Sequence, residues 1–303
     1  MSFERDFYEE RRRKWRRSAF WRGFFVALLL AGVAAWLLVP GDLLPRGEHI
    51  ARFDVSGVIA DDPARDALFD EMAEADNVRA LIVRIDSPGG TTTGAEALYV
   101  SIRRVAEVKP VVAVMGEVAA SGGYIAALAA DEIVARGNTL TGSIGVIMEY
   151  PDLTGLMDRI GIGMETVRSS ELKSEPSPFR PSSDEARAID EALVAEGYAW
   201  FRSLVGDRRN LNGSALDKVS DGRIFTGRMA LGNGLVDRIG GQSAAIDYLE
   251  SVDATLADLP VELWSVEADD DSFASIFGRI SAPNGLLPRL TGKSGPRLYS
   301  IAR

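Results

Sequence analysis

Val111-Val112-Ala113-Val114-Met115-Gly116-Glu117-Val118-Ala119-Ala120-Ser121-Gly122-Gly123-Tyr124 is the stretch on which the reading of this chain turns. The apolar, β-branched run Val111 to Met115 reads as a buried strand, the small residues around Ser121 as a tight turn, and Tyr124 to Ala130 as the helix that follows. A serine held between strand and helix lies beside helix-terminal amides, an arrangement that suits a hydroxyl nucleophile. The chain has one histidine and no cysteine. That histidine, His49, stands ten residues past an apolar run ending at Val39 and before the first recognisable strand, so it reads as an exposed linker residue. If Ser121 is a nucleophile, its base is something other than histidine.

Lysine is the substitute, because arginine stays charged and cannot accept the proton. Of 34 basic residues only Lys14, Lys109, Lys173, Lys218 and Lys293 are lysines. Lys14 lies in a basic N-terminal stretch, Lys109 precedes Pro110 at a strand start, Lys218 is on a polar helical segment, and Lys293 is in a Gly/Pro-containing tail. Lys173 sits in Arg168 to Pro181, a stretch too rich in Ser and Pro for helix or central strand, which reads as an ordered functional loop. On their own, an Ala-Ser-Gly-Gly turn can serve the chain path alone and a loop lysine can simply be solvated.

Length and charge bound the rest. With 303 residues and 46% hydrophobic side chains the chain can bury a substantial core. Residues 1–22 carry eight basic and four acidic side chains, and Gly23 to Val39 then runs seventeen residues without a charge. This is close to the minimum for a spanning helix, and the flanking charges predict a single-pass anchor with the N-terminus cytoplasmic. A cleaved leader fits less well, since Val39-Pro40-Gly41-Asp42 is no small-residue cleavage site. The net charge is −10, so nucleic acid is not expected as a partner. The absence of cysteine is compatible with an oxidising compartment.

From Ile50 onward strand-like and helix-like runs alternate, the pattern of an α/β fold. Ile50 to Ile59, Ala80 to Ile85, Ile133 to Ala135 and Ile144 to Met148 read as further strands. Ala95, Leu98, Ile102 and Val105 mark one helix face. Ser182, with Glu185 three residues on, predicts the start of a longer helix whose apolar stripe is Ile189, Leu193, Trp200 and Leu204. Thr226 caps a short helix that Gly234 stops. The expected organisation is a basic segment at 1–22, an anchor at 23–39, a linker at 40–49, a catalytic domain at 50–252 and an appendage, partly mobile, at 253–303. Two Gly-containing turns complete the reading. Asp86-Ser87-Pro88-Gly89-Gly90 follows a buried strand and lets backbone amides approach a ligand or developing anion; Thr141-Gly142-Ser143-Ile144-Gly145-Val146 leads from loop to strand.

Taken together and in this order, the runs Asp86 to Gly90, Met115 to Ala135, Thr141 to Val146, Lys173 to Pro181 and Phe225 to Asp237 resemble the signal peptide peptidase A family of membrane-anchored Ser/Lys peptidases, in its short, single-repeat form. The resemblance spans about residues 50–250. It implies the crotonase-like fold shared with the Clp protease proteolytic subunit. It also implies Ser121 as nucleophile, Lys173 as general base, Ser143 as the hydroxyl that orients the lysine, and the amides of Gly90 and Gly122 as oxyanion hole. No cofactor or metal is expected. The resemblance further implies remnant signal peptides as substrates, a ring-shaped homo-oligomer in which serine and lysine come from adjacent protomers, and a place in the bacterial inner membrane with the catalytic domain on the periplasmic side. Ser170 before the lysine, Ile125 after Tyr124, and Asp86 in place of the commoner asparagine depart from the family pattern and bear on loop geometry and substrate preference. A crotonase-type acyl-CoA enzyme and an inactive membrane scaffold remain as other classes; CoA-dependent turnover and an active-site serine probe discriminate them.

Overall fold

The computed structural model describes residues 21–22, 24–30, 47–266 and 299–301. The chain divides into two compact units, residues 1–47 and 48–303. In the first, α1 (residues 21–22 and 24–30) exposes Trp21, Phe24 and Phe25, with Trp21–Phe24 and Phe24–Phe25 in edge-to-face contact. Among the described residues no helix is long and apolar enough to cross a membrane, and most of the expected anchor at 23–39 lies outside them.

The second unit is built on a mixed sheet. Its elements are β1 (His49–Ile59), α2 (Pro63–Glu74), β2 (Val78–Thr91), α3 (Thr92–Ala106), β3 (Val111–Ala120), α4 (Gly122–Leu128), β4 (Glu132–Ala135) and β5 (Leu140–Gly142). There follow α5 (Thr154–Ile160), α6 (Asp184–Arg209), α7 (Gly213–Val219), β6 (Ile224–Thr226), α8 (Gly227–Gly232), β7 (Arg238–Ile239), α9 (Gln242–Val252), β8 (Val261–Trp264) and β9 (Tyr299–Ile301). The main path runs β6-β5-β3-β2-β1-β8, with β4 joining β3 to β7 and β9 lying on β2. All pairings are parallel except β5 with β6 and β2 with β9. This is an α/β fold, as the alternation of runs predicts.

Strand alternation sorts the core onto both faces of the sheet. Leu81, Val83, Ile85, Ala113 and Met115 pack into one cluster with Leu98, Ile102 and Val105 of α3 and with all of α4 beyond Gly123. Ala80, Ile82, Val112, Val114 and Val134 point the other way, against Ala245 and Leu249 of α9. Both faces being covered explains why these strands read as continuous apolar runs. Truncating a residue such as Leu81, wholly buried, to alanine costs about 2–5 kcal/mol.

Local chemistry sets the helix starts. Asp62 accepts from the amides of Ala64 and Arg65 ahead of Pro63, and Thr91 Oγ1 accepts from Gly94. In α6 the cap is Ser183, which accepts from Ala186 at 3.1 Å, one residue beyond the expected Ser182. Acidic residues Asp184 and Glu185 open that helix and Arg208 and Arg209 close it, matching the helix dipole.

Several expectations are corrected. The run Ile144 to Met148 forms no strand, because Gly142 and Ser143 both have positive φ (82° and 51°) and turn the chain out of the sheet. On α6 the expected stripe is not buried at its start: Ile189 and Leu193 are exposed, while Phe201 and Val205 enter the core. His49 is not a linker residue. It opens β1, is fully buried, and accepts a hydrogen bond at Nε2 from Trp264 Nε1 at 3.0 Å. The stretch from 253 includes β8, which pairs with β1 over Ile50↔Val261 to Phe53↔Trp264, so part of the expected appendage is a sheet strand. The acidic run Glu267 to Asp271 lies outside the described residues.

Candidate active site

A bulge between the two long central strands opens the site. The β2–β3 register passes from Ile85↔Met115 to Ser87↔Ala119, so β3 carries two extra residues there. Asp86 Oδ1 takes up the Val118 amide left by that bulge, at 3.1 Å. Ser87 Oγ donates to Gly57 O at 2.6 Å and accepts from the Gly89 amide at 3.1 Å, which fixes the Ser-Pro-Gly-Gly turn. These polar residues replace ladder hydrogen bonds where the strands part.

Ser121 ends β3 and starts α4. Its backbone sits at φ 54°, ψ −118°, a conformation that side chains larger than hydrogen adopt at a cost of order 1–3 kcal/mol. Its carbonyl accepts from Tyr124 and Ile125 at 2.9 and 3.0 Å, and its hydroxyl makes no helix-capping bond. The residue is buried, at 1% exposure. The strain is held by packing: Tyr124, wholly buried on the first turn, donates its hydroxyl to Leu235 O at 2.8 Å. Burial raises the Tyr124 phenol far above its ordinary range, so it stays a neutral donor.

Gly90 and Gly122 meet at this point. A methyl group added to Gly122 would lie 3.1 Å from the Gly90 amide nitrogen, so the start of α4 is pressed on the end of β2. At Gly90 an added Cβ would lie 1.8 Å from Ile59 O, and no side chain fits. Beyond Ser87, β3 parts from β2 and pairs on with β5, and the edge of β2 is taken by β9, antiparallel, with Gly89↔Ile301, Gly90↔Ser300 and Thr91↔Tyr299. The glycine edge therefore accepts an extended strand, supplied here by the end of the same chain.

Ser143 follows β5, whose last pair with β3 is Ala120↔Gly142. The Ser121 amide donates to Gly142 O at 2.8 Å, and the Ser143 amide to Arg223 O at 2.8 Å. Thr141 Oγ1 donates to Ala119 O at 2.7 Å and locks the same register. Beside Ser143 opens a cavity of about 850 Å³ between residues 143–150 and α6, with Val146, Met148, Val194, Tyr198 and Ile224 among its walls and Asp190 and Glu191 at its lining. Its mixed apolar and charged lining, Arg187 beside the acidic residues, was not legible in the sequence, since it joins residues far apart in the chain.

No hydrogen bond among the described residues joins Lys173 to Ser121. The lysine lies exposed in the turn Glu171–Ser174, its amide donates to Ser170 O at 3.2 Å, and its ammonium has no hydrogen bond or ion pair among the described residues. Of the residues singled out from the sequence, Ser121, Gly122, Gly90 and Ser143 converge, and Lys173 lies on an exposed loop. Among the described residues no group of histidine, aspartate or glutamate could hold a metal ion.

The profile of Peptidase family S49 matches residues 103–256, half of the chain and the whole strand-turn-helix around Ser121. A Synechocystis sp. protein whose name describes it as a protease is 37% identical over 246 residues, covering 81% of this chain and 83% of that protein. The chloroplastic serine protease SPPA of Arabidopsis thaliana is 39% identical over 177 residues, 57% of this chain; the matched part spans about a quarter (26%) of that longer protein. Among solved structures, a mutant ClpP1 from Listeria monocytogenes overlays with a TM-score of 0.42 at 16% identity, covering 63% of this chain and 91% of that one. The chain thus belongs to peptidase family S49 and is a serine peptidase.

Proposed function

We infer that this peptidase is a membrane-anchored endopeptidase working through a Ser121–Lys173 dyad on hydrophobic peptides, remnant signal peptides among them. The observation that carries the reading is Ser121 itself, strained and buried at the start of α4, with Ser143 one strand away and Gly90 pressed against Gly122. In the reaction, Ser121 Oγ attacks the peptide carbonyl while its proton passes to neutral Lys173 Nζ. The amides of Gly90 and Gly122 receive the oxyanion, each such donor contributing about 2.7–4 kcal/mol. Collapse breaks the C–N bond, the lysine returns the proton to the departing amine, and water then hydrolyses the acyl-serine by the same route in reverse. Ser143 is the hydroxyl partner of the lysine amine.

Lys173 comes from a neighbouring copy in a ring-shaped homo-oligomer. Support comes from the lysine's exposure and from the apolar Ile162, Met164, Val167 and Phe179, exposed on the same segment. Docking that segment on a neighbour would bury them and desolvate the amine, which favours its neutral form. The peptide substrate adds as a strand to Gly89–Thr91, where β9 lies, with a side chain directed to the cavity beside Ser143. Residues 1–22 and 23–39 serve as cytoplasmic segment and single-pass anchor in the bacterial inner membrane, and the domain from about residue 50 acts on the periplasmic side.

Mixing inactive Ser121→Ala subunits with inactive Lys173→Ala subunits tests this. Partial recovery of peptide hydrolysis in hetero-oligomers is expected; none, in oligomers shown to hold both, would confine each dyad to one chain.

A further inference from the structure

The loop that carries Lys173 is organised around an ion-pair core which the mechanism above leaves unused. Glu175 is 7% exposed, and its Oε1 accepts from two guanidiniums, Arg168 Nη1 at 2.5 Å and Arg180 Nε at 2.8 Å. Each arginine then holds one end of the turn Glu171–Ser174. Arg168 Nη1 also donates to Glu171 O at 2.5 Å, and its Nη2 to the Glu171 carboxylate at 3.0 Å. Arg180 Nη2 donates to Ser174 O at 3.3 Å, and its Nη1 to Thr166 Oγ1 at 3.3 Å. Lys173 lies between those two pinned carbonyls, with its ammonium directed outward.

The geometry differs from what stability alone would select. A carboxylate pairs best with a guanidinium through both oxygens, yet here both arginines converge on Oε1, and Oε2 is buried with no hydrogen-bond partner among the described residues. An unsatisfied buried oxygen lowers stability. What the arrangement gains is convergence: one oxygen draws the two arginines together, and their remaining N–H groups close on the two ends of the lysine turn. The charges in 166–180 also balance, Arg168 and Arg180 against Glu171 and Glu175, leaving Lys173 as the one charge of that segment without an opposite partner in it. Arg180, and secondly Arg168, hold the Glu175 carboxyl below the usual glutamate range, so it remains ionised at neutral pH.

We propose that Glu175 is a positioning residue for the lysine base, pinning both ends of the turn Glu171–Ser174 through Arg168 and Arg180 so that the Lys173 side chain projects in one fixed direction. The proposal rests on Lys173 being the base. A misplacement of the order of 1 Å can lower turnover about 100-fold, so the loss should appear in kcat with KM nearly constant.

The test uses the full-length assembled protein and two readouts: steady-state hydrolysis of a hydrophobic peptide, and amide hydrogen exchange across 166–181 read by mass spectrometry. Glu175→Gln should lower kcat about 100-fold, leave KM nearly unchanged and speed exchange in the turn, while Glu175→Asp recovers part of kcat. Arg180→Lys, which keeps the charge and loses the fork, should show the same split and serves if the glutamine variant does not fold. Lys173→Arg is measured alongside: turnover by that variant would refute the base assignment, and the exchange data would still decide whether Glu175 holds the turn. Wild-type kcat in Glu175→Gln and Arg180→Lys, a change confined to KM, or a lowered kcat with exchange unaltered would each overturn the proposal.

Discussion

Ser121 and Ser143 each stand one residue past the last pair, Ala120↔Gly142, of two adjacent parallel strands, and each leaves its strand with positive φ, 54° and 51°. The hydrogen bond from the Ser121 amide to Gly142 O, 2.8 Å, ties the two exits together. Parallel register thus delivers two hydroxyl groups to one end of the sheet, where strand ends expose backbone rather than pair it.

The approach of β2 to this point leaves no space at Gly90. Alanine there would place Cβ 1.8 Å from Ile59 O, a backbone atom, and β1 or β2 must shift. Gly90→Ala is expected to lower stability by about 1–3 kcal/mol and to remove activity. Thermal unfolding and peptide hydrolysis check it; a wild-type melting temperature with full activity would contradict the packing described.

The pH dependence of the lysine loop follows from Glu175. Its folded carboxyl titrates below the unfolded value of about 4.3, so its contribution to stability is fully present above about pH 4.3 and is lost as pH falls through the lower, folded value. The difference in unfolding free energy between wild type and Glu175→Gln should therefore be constant from neutral pH down to about pH 5 and shrink below about pH 4. Chemical denaturation across that range measures it, and a gap that widens on acidification would reverse the sign.

If the peptide substrate adds as a strand to Gly89–Thr91, as proposed, residues Tyr299–Ile301 compete with it for that edge. Because residues Tyr299–Ile301 pair with Gly89–Thr91, removing residues 299–303 should free that edge. A lower KM for peptide hydrolysis, with kcat little changed, is expected from the truncated protein. An unchanged KM would show that β9 does not occupy the substrate path.

Much of this architecture is legible in the sequence for a simple reason: the strands of the sheet are buried on both faces, so composition alone marks them. The face of α3 at Ala95, Leu98, Ile102 and Val105 is likewise the buried one. Where reading failed, the deciding contact was remote or conformational. His49 is buried by Trp264, 215 residues away in sequence, and no local pattern announces that. The apolar run Ile144 to Met148 has strand composition, yet the backbone turn at Ser143 takes it off the sheet and into the wall of a cavity. Ile189 and Leu193 follow helical spacing but remain exposed, so periodicity located a stripe without saying what covers it. At the site, short glycine and serine motifs mark Gly90, Ser121, Gly122 and Ser143, because close backbone approach admits few other residues. The pairing of Glu175 with Arg168 and Arg180 could not be read, since loop charges have no periodicity that reveals their partners.

The central claim is that Ser121 is the nucleophile and that a neutral Lys173 activates it. Labelling of the purified, assembled protein with a fluorophosphonate, followed by peptide mass spectrometry, addresses both halves at once. The account predicts an adduct on Ser121, absent in Ser121→Ala and lost in Lys173→Arg, which keeps the positive charge but cannot take the proton. An adduct on a different serine, or labelling of Lys173→Arg at the wild-type rate, would contradict it.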